Sequence, residues 1–142
     1  MSAVSNIYRA GTAVRNHMER TVLGTAQLSW AGFTVLWVLW IWGEQETGHL
    51  ASDAGVSKGT LTGVLRTLQS RELIERRAHD DDRRRVSVRL TRAGERMIAT
   101  VFPEFNRHEA LAVAALSRAE QNELARLLRR VQHHLDDVEN SH

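Results

Sequence analysis

Residues 49–71 read HLASDAGVSKGTLTGVLRTLQSR, and this stretch decides the fold. His49 to Ala54 suits a short helix, and Gly55-Val56-Ser57 suits a tight turn. Ser57 is an N-cap residue for a second helix, Lys58 to about Arg71. Leu61, Val64, Leu65 and Leu68 take the i, i+3, i+4 and i+7 spacing of a buried stripe. Lys58, Thr62, Arg66 and Gln69 lie on the opposite side, flanked by Thr60 and Gly63. Ala51 is small where two helices would cross, Gly55 permits the turn, and Leu61 reaches back to the first helix. This is the pattern of a helix-turn-helix.

Downstream, the period changes from helical to alternating. Ile74 to Arg77 and Val86 to Leu90 alternate apolar and polar residues, which predicts two strands. His79-Asp80-Asp81-Asp82-Arg83-Arg84-Arg85 lies between them, entirely polar and charged. The expected result is a β-hairpin with a basic side, a wing beside the second helix. A winged helix puts that helix in the major groove of DNA and its wing on the backbone or minor groove.

The flanks predict helices. Ile7, Ala10, Gly11, Val14, Met18 and Val22 form one stripe over about Asn6 to Leu23. Ser29 caps a helix from Trp30 to about Gly43, apolar on almost every side and therefore central. Thr91 caps a helix from Arg92, in which Pro103 predicts a kink or a break. Ser117-Arg118-Ala119-Glu120 is a capping box for a last helix. Its stripe is Leu124, Leu127, Leu128, Val131, Leu135 and Val138. A chain of 142 residues could not bury both terminal stripes alone, which predicts a homodimer.

Composition narrows the function. With no cysteine, thiolate catalysis, thiol redox sensing and cysteine-ligated metals are excluded. The uncharged run Trp30 to Trp42 has 13 residues. A membrane span needs about 20, so no membrane partner is expected. Met1 to Arg9 lacks the pattern of a signal peptide. Net charge is +2, but it is unevenly spread. Residues 58–96 carry 11 basic and 6 acidic side chains, while the segments on either side are net acidic. Clustered cations suit either a solvated basic face or contact with a polyanion, whose condensed counterions they would release. No nucleophile elbow, phosphate-binding glycine loop or His-Glu-x-x-His motif is present, so no enzyme and no cofactor are expected.

These residues carry a family resemblance over nearly the whole chain. Val56-Ser57-Lys58-Gly59-Thr60-Leu61-Thr62, with Leu65, Leu68 and Leu73-Ile74-Glu75-Arg76, resembles the recognition helix and first wing strand of the MarR family of bacterial transcriptional regulators. Asp82-Arg83-Arg84, with Val86, Val88 and Leu90-Thr91, resembles that family's wing signature. The resemblance implies that Arg84 enters the minor groove and that Asp82 orients it. It also implies a homodimer built from the terminal helices, and in many members a small, often phenolic, ligand between the dimer region and the DNA-binding lobe. Glu72 stands where many members have Gly at the helix exit, a departure worth roughly 1 kcal/mol in a left-handed conformation. Gly63 stands where a longer polar residue is common, and Asp80-Asp81-Asp82 sets acid beside the basic tip.

The expected architecture is therefore mainly α with a small β-hairpin wing. It is a single domain over residues 1–142: a winged-helix lobe at 30–92, with dimerisation helices at 1–29 and 93–142. Lys58, Thr60, Thr62 and Arg66 face the major groove, Ser57 and Gly59 approach phosphates, and Arg83, Arg84 and Arg85 serve the wing. His17, Trp30 and Trp37 are the candidates for an aromatic ligand wall, against the alternative that the tryptophans are core. His133 and His134 diverge by roughly 100° on a helix and do not suit a shared metal. The functional expectation is a cytoplasmic, nucleoid-associated repressor on duplex DNA, released by a small aromatic effector. The alternatives are ligand-independent DNA binding and a protein-interaction adaptor of the same fold.

Overall fold

The computed structural model describes residues 2–142; Met1, the first residue of the expected N-terminal segment, lies outside them. The chain forms two compact units, one through His108 and one over Glu109–His142.

The first unit begins with α1 (Ala3–Met18), capped by Ser2 and longer at its start than the sequence predicts. Glu19–Leu23 then widens into a π-helical turn. Gly24 allows this: its N–H donates to Glu19 O at 2.8 Å, and a Cβ there would lie 2.7 Å from that oxygen. The Glu19 carboxylate accepts the Trp30 N–H at 3.1 Å, at the positive end of the next helix.

That helix, α2 (Trp30–Trp42), is capped by the Ser29 hydroxyl and ends at Gly43 with φ +79°. Val35, Leu36, Val38 and Leu39 are all buried, so α2 is the central helix that its apolar surface predicts. β1 (Gln45–Glu46) and α3 (Thr47–Ala54) follow. Gly55, at φ +67°, turns the chain into α4 (Lys58–Ser70). Leu61, Leu65 and Leu68 of α4 are buried, with Leu50 and Ala51 of α3 in the same core.

β2 (Ile74–Ala78) and β3 (Val86–Leu90) form the expected hairpin. The sequence does not reveal β1, which pairs with β3 and makes the sheet three-stranded, in the order β1-β3-β2. Two residues are too few for an alternating pattern to register. All pairings are antiparallel, with Glu46 opposite Ser87 and Arg77 opposite Ser87 from the other side.

Of the kink or break expected at Pro103, the break does not occur: α5 runs unbroken over Arg92–Ala112. Proline removes one N–H and frees the carbonyl four residues back, that of Ala99. Both Pro103 and Ala99 are exposed, so water can satisfy that carbonyl. Val101 and Phe105, buried on the opposite side, hold the helix to the core. In the second unit, α6 (Arg118–Asn140) begins with the predicted capping box. The Ser117 hydroxyl accepts the Glu120 N–H, and the Glu120 carboxylate accepts the Ser117 N–H. None of the described residues of α6 is buried within the chain.

Candidate nucleic-acid interface

The exposed side of α4 starts with its cap. The Ser57 hydroxyl accepts the Thr60 N–H at 3.1 Å and donates to the Thr60 hydroxyl at 3.0 Å. No acidic residue occupies the first turn, so the positive helix end is left for an outside anion. Lys58, Gly59, Thr60, Thr62 and Arg66 are all exposed. Among the described residues, Lys58 and Arg66 have no ion-pair partner. Thr62 donates its hydroxyl proton to Lys58 O at 3.0 Å, leaving its lone pairs and methyl outward. Each α4 residue named from the sequence is thus open to solvent.

The exit of α4 is tied down. Arg71 donates to Gln27 O at 2.7 Å and to Ala26 O at 2.9 Å, joining the helix end to the turn before α2. Glu72 adopts φ +59°, the left-handed conformation that the departure from glycine makes costly. Its carbonyl accepts the Thr91 hydroxyl, and the Thr91 N–H donates to Leu73 O at 3.1 Å. Gly94, in the first turn of α5, lies so close to Leu73 that a Cβ would overlap its carbonyl oxygen. The sequence pattern carries no sign of this close approach.

In the wing, the three arginines have three different environments. Arg83 is exposed and has no ion-pair partner among the described residues. The Arg84 side chain is 94% exposed. Its N–H donates to the Asp82 carboxylate at 3.0 Å, while its Nε lies 3.4 Å from the same oxygen. Asp82 therefore shapes the backbone of the turn first and restrains the guanidinium second. Arg85 is bound: its Nε lies 3.1 Å from Glu46 Oε1 and its Nη2 donates to the same oxygen. Those hydrogen bonds hold the Glu46 carboxyl below its ordinary range and push the Arg85 guanidinium up. At the base, His79 and the Ser87 hydroxyl are 2.7 Å apart. Arg76, Arg77 and Arg89 are likewise engaged, by Gln69, Glu44 and Glu75.

His17, Trp30 and Trp37 are half-buried. His17 Nε2 lies 2.9 Å from His108 Nδ1, and the Trp30 ring meets Phe105 with centroids 5.6 Å apart. His17 and Trp30 therefore reach α5 about one helical turn from each other. Trp37 packs on the core, Trp40 meets Phe102 edge-on, and Trp42 is exposed. A groove of about 340 Å³ lies elsewhere, between the turn before α2 and α4, and includes Gln27, Gly32, Gly59, Gly63 and Arg71. No helix among the described residues is long and apolar enough to cross a membrane.

Residues 28–86 match the model of the MarR family. The uncharacterized HTH-type transcriptional regulator YwaE of Bacillus subtilis is 37% identical over 131 residues, covering 92% of this chain and 77% of its own. Among solved structures, Bordetella bronchiseptica BpsR, whose DNA binding is regulated by 6-hydroxynicotinic acid, superposes with a TM-score of 0.85. That match has 24% identity and covers 92% of this chain and 99% of BpsR. Staphylococcus aureus MepR, solved in complex with DNA, superposes with a TM-score of 0.84 at 18% identity, covering 94% and 98%.

Proposed function

Because this chain belongs to the MarR family, and is therefore a DNA-binding transcriptional regulator, we propose that it acts as a homodimeric repressor on an inverted-repeat operator and is released by a small aromatic acid. The observation that carries the reading is the exposed side of α4. It combines a helix N-terminus without acid in its first turn with Lys58 and Arg66, which have no ion-pair partner among the described residues. Lys58, Thr60, Thr62 and Arg66 read base edges in the major groove, and Ser57 and Gly59 take phosphates. Arg84, Arg83 and the rest of the wing serve the minor groove and backbone.

The division of labour follows the chain. Residues 30–92 form the DNA-binding lobe, and residues 1–29 and 93–142 supply the dimer helices. Two observations support the dimer. Leu124, Leu127, Val131, Leu135 and Val138 leave an apolar stripe exposed along α6, and Val4, Ile7 and Tyr8 do the same on α1. Exposed apolar surface of that extent favours association. The effector site is assigned to His17, Trp30 and Trp37, two ring systems and an imidazole suited to a planar acid. BpsR, which responds to such an acid, lends support. A repressor of this kind works in the cytoplasm, on the nucleoid.

The test is selection of bound duplex fragments, followed by titration at several salt concentrations with and without a panel of aromatic carboxylic acids. The expected site is an inverted repeat with half-sites about 10 base pairs apart. Affinity should fall steeply with salt, and an active acid should quench tryptophan fluorescence and weaken DNA binding together. Salt-independent or absent duplex binding would favour the adaptor. Quenching without a change in DNA affinity would remove the effector from the proposal. A monomer in light scattering that still binds DNA fully would remove the dimer.

A further inference from the structure

Three adjacent arginines at the wing look interchangeable in the sequence, yet the structure gives Arg85 a partner 39 residues away. Glu46 lies on β1, the short strand outside the hairpin. It is opposite Ser87 of β3. Side chains alternate along a strand, so extending β3 back from Ser87 to Arg85 returns to the same side of the sheet. Glu46 and Arg85 are thus a diagonal cross-strand pair. Two nitrogens of Arg85 converge on one oxygen of Glu46, and Arg85 Nη1 lies 3.7 Å from Asp81 Oδ2. The Arg85 carbonyl also accepts the His79 N–H at 2.9 Å, and its N–H donates to Asp82 O at 3.0 Å.

We propose that Glu46 is a positioning residue for the wing: it clamps Arg85 to β1, so that Arg85 braces the loop and leaves Arg84 to project toward DNA. The contrast in exposure supports this. The Arg85 side chain is 47% exposed, against 94% for its neighbour Arg84. A guanidinium already held by a carboxylate releases few counterions from a phosphate, so it contributes little to direct contact. A loop fixed at Arg85 loses less freedom when its tip enters a groove, which favours binding. Asp82 shapes the tip locally, while Glu46 fixes the tip to the rest of the sheet. Wing arginines then divide into a contact residue and a brace, a division that no charge count reveals.

This inference rests on the DNA-binding reading, and its test separates the two. Glu46→Gln, Arg85→Gln, the double variant and the exchanged pair Glu46→Arg with Arg85→Glu are titrated against one operator duplex at several salt concentrations. A brace predicts that each single variant weakens binding by about threefold, an effect in the range of exposed ion pairs. The double variant should add nothing further, because the two residues act as a unit. The exchanged pair should recover most of the loss. A direct phosphate contact predicts the opposite for Glu46→Gln: a freed Arg85, tighter binding and a salt slope steeper by about one unit. Amide hydrogen exchange over residues 79–86, measured without DNA, should quicken in Glu46→Gln. Tighter binding, or unchanged exchange in that variant, overturns the clamp. If the unmodified protein bound no duplex, the functional reading would fail while the exchange result still decided the clamp.

Discussion

The recognition helix and the wing are both basic and exposed, but they are built on different terms. α4 is locally complete. Its cap, its apolar stripe and its outward residues all lie within Ser57 to Ser70, and among the described residues Lys58 and Arg66 have no carboxylate partner. The wing is not locally complete: it combines contacts within the hairpin with one from a distance. Its turn depends on Asp82, its brace on Glu46, and its base on the contact between His79 and Ser87. Similar charge thus arises in one region from free cations and in the other from cations mostly already paired. Local construction makes a rigid reading head, while distributed construction makes a part that remote residues tune.

Gly94→Ala should damage both regions at once, because it strikes the joint they share. A Cβ overlapping Leu73 O forces apart the first turn of α5 and the entrance to β2. The Thr91 N–H to Leu73 O bond at 3.1 Å would go with it. The expected loss of stability is on the order of 3 kcal/mol, checked by denaturant unfolding. Near-native stability would mean that the joint is more compliant than its geometry implies.

Arg84→Ala and Arg66→Ala should separate the wing's contribution from the helix's. The wing variant should weaken binding by about 1–3 kcal/mol and leave the preferred major-groove sequence alone. The helix variant should weaken binding and also relax preference at the base pairs that Arg66 reads. Affinities for a set of single-base operator variants distinguish the two. The same pattern of preference in both would erase the proposed division of labour.

Asp82→Ala is a smaller probe with a telling sign. Removing an anion next to DNA tightens binding if the wing acts only through its net charge. Removing the acceptor of the Arg84 N–H, 3.0 Å away, loosens the turn that presents Arg84. The loss from the turn should exceed the charge gain, leaving binding weaker by about 1 kcal/mol. Titration over a range of salt checks it, and tighter binding at every salt would deny the orienting role.

Legibility in the sequence follows the same line between local and remote. The caps at Ser29, Ser57, Thr91 and Ser117 are short-range chemistry, and all four appear where the residues predict them. So do the buried stripe of α4, the two hairpin strands and the central place of α2. β1 escaped notice because two residues cannot show a period, and with it went the reason for Arg85's orientation. Gly94 escaped because the need for a bare backbone comes from Leu73, which is distant along the chain. Pro103 does not break α5 as propensity alone suggests, because Ala99 and Pro103 are exposed while Val101 and Phe105 hold the helix from the other side.

Glu72→Gly probes the joint between the two regions and should have the smallest effect, a gain. Glu72 holds φ +59°, where a Cβ crowds the backbone. The bonds that fix this residue are made by its backbone. Its N–H donates to Gln69 O at 2.9 Å and its carbonyl accepts the Thr91 hydroxyl, and glycine keeps both. Relief of about 1–2 kcal/mol in the folded state is offset by the greater freedom of glycine in the unfolded chain. The net should be about 0.5–1 kcal/mol, a rise in melting temperature of about 2–3 °C. Glu72→Gln separates strain from charge, since it removes the anion but keeps the Cβ. Melting at fixed protein concentration should show the glycine variant above both the glutamine variant and the unmodified chain. Equal gains in both variants would assign the effect to charge beside the recognition helix, and the strained exit of α4 would then cost nothing measurable.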